Sequence, residues 1–309
     1  MKAVHRYGLP LTLAVLFAAF ATISPSFLSE NNLRSLFVNH FTLLMLVSMA
    51  MTLVVATGGI DLSVGTAMDM SGFAFIASLS NGLPPSLAIV LGLVAALAVG
   101  GFNAILIAGI RIPTFLATLG TLFIGHSIQQ LATGGGVPIY LIAGAPRPIF
   151  GDIEAARPWL ALFAIAAVAI VLGFSLFGRK IVAEGIAPAV ARYSGLLVRR
   201  DIGLVMLGST LLTGIAGIVL SASVHSYSPL SGNAYLMDAI GATFLGTTFH
   251  HHRRANLVGT ILGVLLLSIV KNGLLLVGVS FYWQQVVNGT LIFTVLAISF
   301  GTNRKSLGV

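Results

Sequence analysis

The sequence contains no cysteine and little charge. With no cysteine in 309 residues, disulfides, thiolate metal sites and a cysteine nucleophile are excluded. Asp, Glu, Lys and Arg supply 8% of the chain, against about 25% in soluble globular domains. Hydrophobic residues supply 57% and the mean hydropathy is +1.02, which describes a membrane protein. Signatures of enzymes are missing too. None of the four lysines follows a glycine, so there is no G-x-x-x-x-G-K-[ST] loop to cradle phosphates. Neither an H-E-x-x-H zinc pattern nor a G-x-S-x-G elbow occurs, and the eight acidic residues are scattered. What remains is a membrane conduit driven by ions, driven by a partner, or passive.

Long apolar runs predict an all-α chain of ten spans, at about 8–24, 35–57, 62–80, 86–109, 113–131, 158–178, 202–222, 236–249, 255–276 and 282–300. With a cytoplasmic N-terminus, 12 basic residues fall on the inner side, among them Arg111, Arg179, Lys180, Arg192, Arg199 and Arg200. Only Arg34, Arg147 and Arg157 fall outside. Basic loops resist translocation, so the split places both termini in the cytoplasm of a single membrane domain over 1–309. The run after Lys2 and Arg6 has the outline of a signal peptide, but the nine spans that follow favour an uncleaved first helix. Spans 35–131 and 202–300 form two four-helix sets of opposite direction, the arrangement of an inverted repeat.

Polar residues within this apolar frame are the candidates for function. Asp69 and Lys271 lie inside spans, where a charge costs about 2.5–3.5 kcal/mol; they either carry ions or pair with each other, and the stem of Lys271 also lets it snorkel. Gly58-Gly59-Ile60-Asp61-Leu62-Ser63-Val64-Gly65 breaks the pattern between the second and third spans. Asp61 is placed to cap a helix beginning at Leu62, with Ser63 beside it. Asn103, Gln129, Gln130, Asn272, Gln284, Gln285 and Asn288 either line a path for a hydroxylated solute or join helices to one another. Gln284 and Asn288, four apart, share a helix face. In the inner loop 179–201, Pro188 suits a first helical turn and Gly195 a helix end, so the stretch 188–195 reads as a short helix. It either rests on lipid headgroups or docks a cytoplasmic partner. His250, His251 and His252 cannot converge on one ion from a single helix, because successive positions point about 100° apart.

Taken together, these segments resemble the permease subunits of bacterial ATP-binding-cassette importers for simple sugars, the family of the ribose, arabinose and xylose permeases. The likeness runs through Gly58 to Gly65, Ile112-Pro113-Thr114-Phe115 with Thr118-Leu119-Gly120-Thr121, and Ala191-Arg192-Tyr193-Ser194-Gly195. It continues through Gly259 to Gly263, Asn272-Gly273-Leu274 and Trp283-Gln284-Gln285-Val286-Val287. The resemblance implies an inner-membrane permease that pairs with a second permease, identical or not, around a central path. It also implies that a cytoplasmic ATPase binds the inner loop 179–201 through Pro188, Arg192, Ser194 and Gly195, and that a periplasmic binding protein delivers the solute. ATP would be hydrolysed by those partner subunits, with no cofactor held by this chain and no role for nucleic acid. The chain departs from the family's usual residues at Asp69, Glu184, Ile186 and Ala187, and in the turn before the ninth span. The competing expectation is an ion-coupled secondary transporter that uses Asp69 and Lys271; a membrane scaffold that recruits partners is a third.

Overall fold

The computed structural model describes residues 2–141, 148–248 and 255–304. Residues 250–254, with three histidines and two arginines, lie outside the described residues. The chain is helical nearly throughout, in the order α1 (Lys2–Ile23), α2 (Glu30–Ser35), α3 (Thr42–Ala56), α4 (Val64–Ser80), α5 (Pro85–Ala104), α6 (Thr114–Ala132) and β1 (Ile139–Tyr140). It continues as α7 (Pro148–Ala169), α8 (Leu176–Ile186), α9 (Pro188–Tyr193), α10 (Val198–Val224), β2 (Ser226–Tyr227), α11 (Gly232–Thr248), α12 (Leu257–Leu276) and α13 (Phe281–Arg304). Wide π turns join α2 to α3 and prolong α5 to Ile110 and α7 to Phe174. Each of the ten predicted spans falls on a long helix. By length and composition alone, five helices among the described residues are long and apolar enough to cross a membrane: Glu30–Ala56, Pro85–Ile110, Ile149–Phe174, Val198–Val224 and Leu257–Leu276.

The sixth span needs correcting. It was expected at 158–178, but the helix begins ten residues earlier, at Pro148, and carries Pro158 inside it. The polar residues Asp152, Glu154 and Arg157 hide this first part from a search for apolar runs. Arg157 is nevertheless 5% exposed, because its guanidinium donates to the Asn39 amide oxygen on the neighbouring span.

α3 forms the centre. Of its fifteen residues only Val55 escapes full burial, as expected of a helix that is apolar on every side. It packs against α10, α11 and α7, while α4 packs between α5 and α10. Large apolar side chains on the periphery, such as Phe123, Phe163 and Phe293, stay exposed, which suits a surface solvated by lipid.

The inverted repeat is visible in the packing. α4 packs on α5 as α11 packs on α12, and α3 lies against α11 as α10 lies against α4. Both α4 and α11 have seventeen residues, which reach about 25 Å at 1.5 Å per residue, short of a hydrocarbon core of about 30 Å. Each follows a non-helical stretch, 57–63 before α4 and 225–231 before α11. Such backbone is tolerated at membrane depth only where protein satisfies it. Side chains of the other helices do so here, and those side chains are the sequence's candidate residues.

Candidate functional site

The stretch 57–63 is held by a chain of hydrogen bonds reaching across three helices. Asp61, fully buried, accepts at Oδ1 from the Ser63 amide at 2.7 Å and from Ser63 Oγ at 2.6 Å. The helix starts at Val64 and its first turn receives no side-chain cap, so Asp61 fixes the approach to α4 instead of capping a helix at Leu62. Asn103 of α5 donates to Ser63 Oγ at 2.7 Å and accepts from Thr121 of α6 at 2.6 Å. Thr118, also on α6, donates to the Ile60 carbonyl at 3.2 Å. Thr118 and Thr121 entered the sequence reading only as parts of a motif; their spacing of three puts both on the face that meets the stretch.

The second stretch is held from α4 and α6. Asp69 accepts at Oδ1 from Ser231 Oγ at 2.9 Å and from the Gly232 amide at 2.8 Å. A carboxylate at the first amide of α11 meets both an orphan donor and the positive end of the helix dipole. Gln129 accepts from Tyr227 Oη at 3.1 Å and from the Leu230 amide at 2.9 Å. His126 Nε2 pairs with Asn233 Oδ1 at 2.9 Å. Tyr227 also belongs to the short antiparallel pair β1–β2, opposite Ile139.

Lys271 does not pair with Asp69. It forms an ion pair with Asp238 of α11, and both His40 and the buried Asn288 of α13 lie close to that pair. Asp238 was the missed partner: it stands in the short eighth span, and nothing in the local pattern points 33 residues ahead to Lys271. Asn272 exchanges two bonds with Asn32, at 3.0 and 2.9 Å, which ties α12 to α2. Gln284 donates to the Val279 carbonyl at 2.8 Å and so closes the turn before α13. The candidates thus form separate clusters, around Asp61, Asp69, Lys271 and Asn272. Among the described residues no three His, Asp or Glu side chains gather as a metal site.

The loop 179–201 contains the expected short helix. α9 begins at Pro188, and Gly195 turns the chain out of it with φ of 78°. The amides of Gly195 and Leu196 return to the Arg192 and Ala191 carbonyls at 3.1 Å each, a reversal that satisfies the helix end. Arg192, Ser194 and Gly195 are exposed, as are the apolar Val190 and Tyr193, the latter at 93%. The preceding α8 leans on the site itself. A side-chain carbon added to Gly185 would stand 2.3 Å from the Ala56 carbonyl and 2.9 Å from the Gly58 amide, so helix and turn touch backbone to backbone. Glu184 beside it is buried against the Asp201 carboxyl. Burial pushes its carboxyl up to about 7, with the adjacent Asp201 carboxylate adding to the rise and Lys180 opposing it.

Residues 33–296 match the family described as the permease component of branched-chain amino acid transport systems. The chain belongs to that family. It is 32% identical to the ribose import permease protein of Bacillus subtilis (strain 168), over 96% of this chain and 92% of the relative. It is 30% identical to the ribose import permease protein of Escherichia coli K12, over 93% and 91%, and to the D-allose transport system permease protein of the same organism, over 95% and 91%. A permease component of a multi-pass kind explains the helices, the lack of an enzymatic motif and the exposed loop 179–201 together. The ion-coupled alternative finds no support in the family or in these relatives.

Proposed function

We propose that this chain is the membrane half of an ATP-driven importer for a sugar, polyol or similar small hydroxylated solute. The family description names amino acids, whereas the relatives named above carry ribose and allose, so the family alone does not choose between them. The polar clusters favour the second class. An amino acid zwitterion needs a fixed charge for each of its ends, and the intramembrane cation that could meet its carboxylate, Lys271, is already paired with Asp238. Uncharged groups that keep a free donor or acceptor, the Gln129 Nε2 and the side-chain amide of Asn288, suit hydroxyl groups. In this reading Asp61, Ser63, Asp69, Asn103, Gln129, Lys271, Asn272, Gln284 and Asn288 line or shape the path.

The observation that carries the proposal is the contact of Gly185 with Ala56 and Gly58. Force applied at α9 passes through α8 to the non-helical stretch that Asp61 and Ser63 organise, and from there through Asn103 to α5 and α6. The segment 179–201 then serves as the coupling loop, with Pro188, Arg192, Ser194 and Gly195 meeting a cytoplasmic ATPase that hydrolyses ATP on the chain's behalf. A second permease, identical or not, and a periplasmic binding protein complete the assembly, and both termini are cytoplasmic in the bacterial inner membrane. The test is to solubilise native membranes, recover the tagged chain and assay ATPase activity with candidate binding proteins and sugars. Co-recovery of an ATPase stimulated by a sugar-loaded binding protein is expected. Stimulation by an amino acid, or by none, would refute the solute class.

A further inference from the structure

A cavity of about 630 Å³ opens on the inner side, between the turn that links α5 to α6 and the first turn of α10. Four arginines line it: Arg111, Arg192, Arg199 and Arg200. All four are exposed, and among the described residues none makes an ion pair. Asp201, the acid nearest in sequence, is not part of the lining; it is buried beside Glu184. Arg111 is held in the left-handed region, with φ of 76°, a conformation that costs a residue other than glycine about 1 kcal/mol. The helices α6 and α10 both begin at this cavity, after Pro113 and Leu197, and neither start has a side-chain cap. The first turn of α10 carries Asp201, so the positive end of α6, with no acid in its first turn, is the one that adds to the four cations. Much of the rest of the lining is apolar, including Ile107, Ile112, Leu197 and Ile202; Ile107 and Ile202 belong to membrane-spanning helices, and Leu197 is exposed.

A cationic floor joined to an apolar lining at the edge of the bilayer matches a molecule with a phosphate at one end and hydrocarbon at the other. We infer that this cavity binds the phosphate of an anionic phospholipid, with its acyl chains against Leu197 and Ile202. A free phosphate offers the same head but leaves the apolar lining without a partner. Bound lipid would sit directly beneath α9, since Arg192 belongs to both the helix and the cavity, and would brace the loop between α9 and α10. Binding requires only that the chain sits in a membrane, so it stands apart from the choice of solute.

The experiment places the purified chain in nanodiscs of phosphatidylcholine containing a minor fraction of phosphatidylglycerol, extracts it, and counts retained lipids by native mass spectrometry. The wild-type chain is expected to keep phosphatidylglycerol. The double variant Arg111→Gln/Arg199→Gln is expected to lose it, with affinity lower by roughly 30-fold, about fivefold for each cation removed from the bilayer surface. Arg179→Gln, which removes a basic residue outside the cavity, should retain it. If the double variant does not fold, either single variant carries the same test with a fivefold loss. Equal retention by wild-type and variant overturns the proposal, as does full displacement of the lipid by millimolar inorganic phosphate. Unchanged lipid with lost ATPase recovery would make the cavity a protein-docking surface and overturn it too.

Discussion

Gly65 and Gly232 touch backbone to backbone where the two halves of the chain cross. A side-chain carbon added to Gly232 would lie 2.4 Å from the Gly65 carbonyl oxygen, and one added to Gly65 would lie 3.0 Å from the Gly232 carbonyl oxygen. Each glycine stands in the first turn of the short helix of its own repeat, α4 or α11. The contact is thus the meeting point of the two inverted halves. It lets Asp69, one turn beyond Gly65, reach the Gly232 amide. Membrane helices gain little from burying apolar surface against each other, so close packing through small residues carries much of their association.

Gly232→Val should separate the halves. The methyl groups would meet carbonyl backbone, which cannot rotate away, and overpacking of this kind costs about 1–3 kcal/mol. Thermal unfolding of the detergent-purified variant should occur at lower temperature than that of Gly208→Val, a helical glycine with nothing within 4 Å of an added carbon. Equal melting of the two would show that the crossing yields.

Asp69→Asn and Asp69→Ala should separate charge from hydrogen bonding. Asparagine keeps an acceptor for Ser231 and Gly232, whereas alanine leaves both donors without one, at about 1–3 kcal/mol for a buried group. We expect the alanine variant to melt well below the wild type and the asparagine variant to retain uptake. Abolished uptake in the asparagine variant, with unchanged stability, would restore a role for the charge in transport.

Lys271 and Asp238 should behave as a unit. Removing one partner of a buried pair leaves an uncompensated charge, at about 3–5 kcal/mol. Lys271→Met and Asp238→Asn should therefore each lower the yield of folded protein, and the double variant should recover much of it. A double-mutant cycle on melting temperatures measures this coupling; additive losses would mean that the pair is not made in the membrane.

The positions of the helices were legible because an apolar run of about 20 residues has one stable form in lipid. Their partners were less so. Asn272 meets Asn32 and Asp69 meets Gly232 across 240 and 163 residues, and no local period encodes such distances. Asp61 was legible as a special position, but its own partner, Ser63, emerged only once the chain proved non-helical at 57–63. The start of α7 was hidden because Arg157 and its acidic neighbours look like loop until Asn39 is seen to receive the guanidinium.

Glu184 predicts a pH dependence. Its carboxyl titrates near 7 in the folded chain and near 4.3 when unfolded, so the folded state holds a proton that the unfolded state has lost between those values. The stability from this group is therefore full below about pH 4, falls as pH rises toward 7, and changes no further above it. The difference between the two pKa values amounts to at most about 4 kcal/mol, and screening by solvent around the exposed loop lowers it. Hydrogen exchange of α8 should accelerate from pH 5 to pH 7.5 beyond the intrinsic rate in the wild type and not in Glu184→Gln. Parallel profiles for the two proteins would remove the carboxyl from this role.

Gly195→Pro should uncouple the assembly without unfolding it. The native residue uses φ of 78° and donates its amide to the Arg192 carbonyl. Proline is fixed near −65° and has no amide hydrogen, so α9 loses its terminal reversal and Arg192 and Ser194 lose their placement. The change lies on an exposed turn with open space around it, and the ten long helices should insert and melt as before. Coupling energies of about 1–3 kcal/mol correspond to 5–150-fold effects, and a loss of ATP-driven uptake in that range is expected in proteoliposomes carrying the ATPase and binding protein. Gly195→Ala, which keeps the amide but strains the turn, should fall between the two. Undiminished uptake by the proline variant would mean that α9 transmits no force, and that the contact of Gly185 with Ala56 serves only to pack the loop.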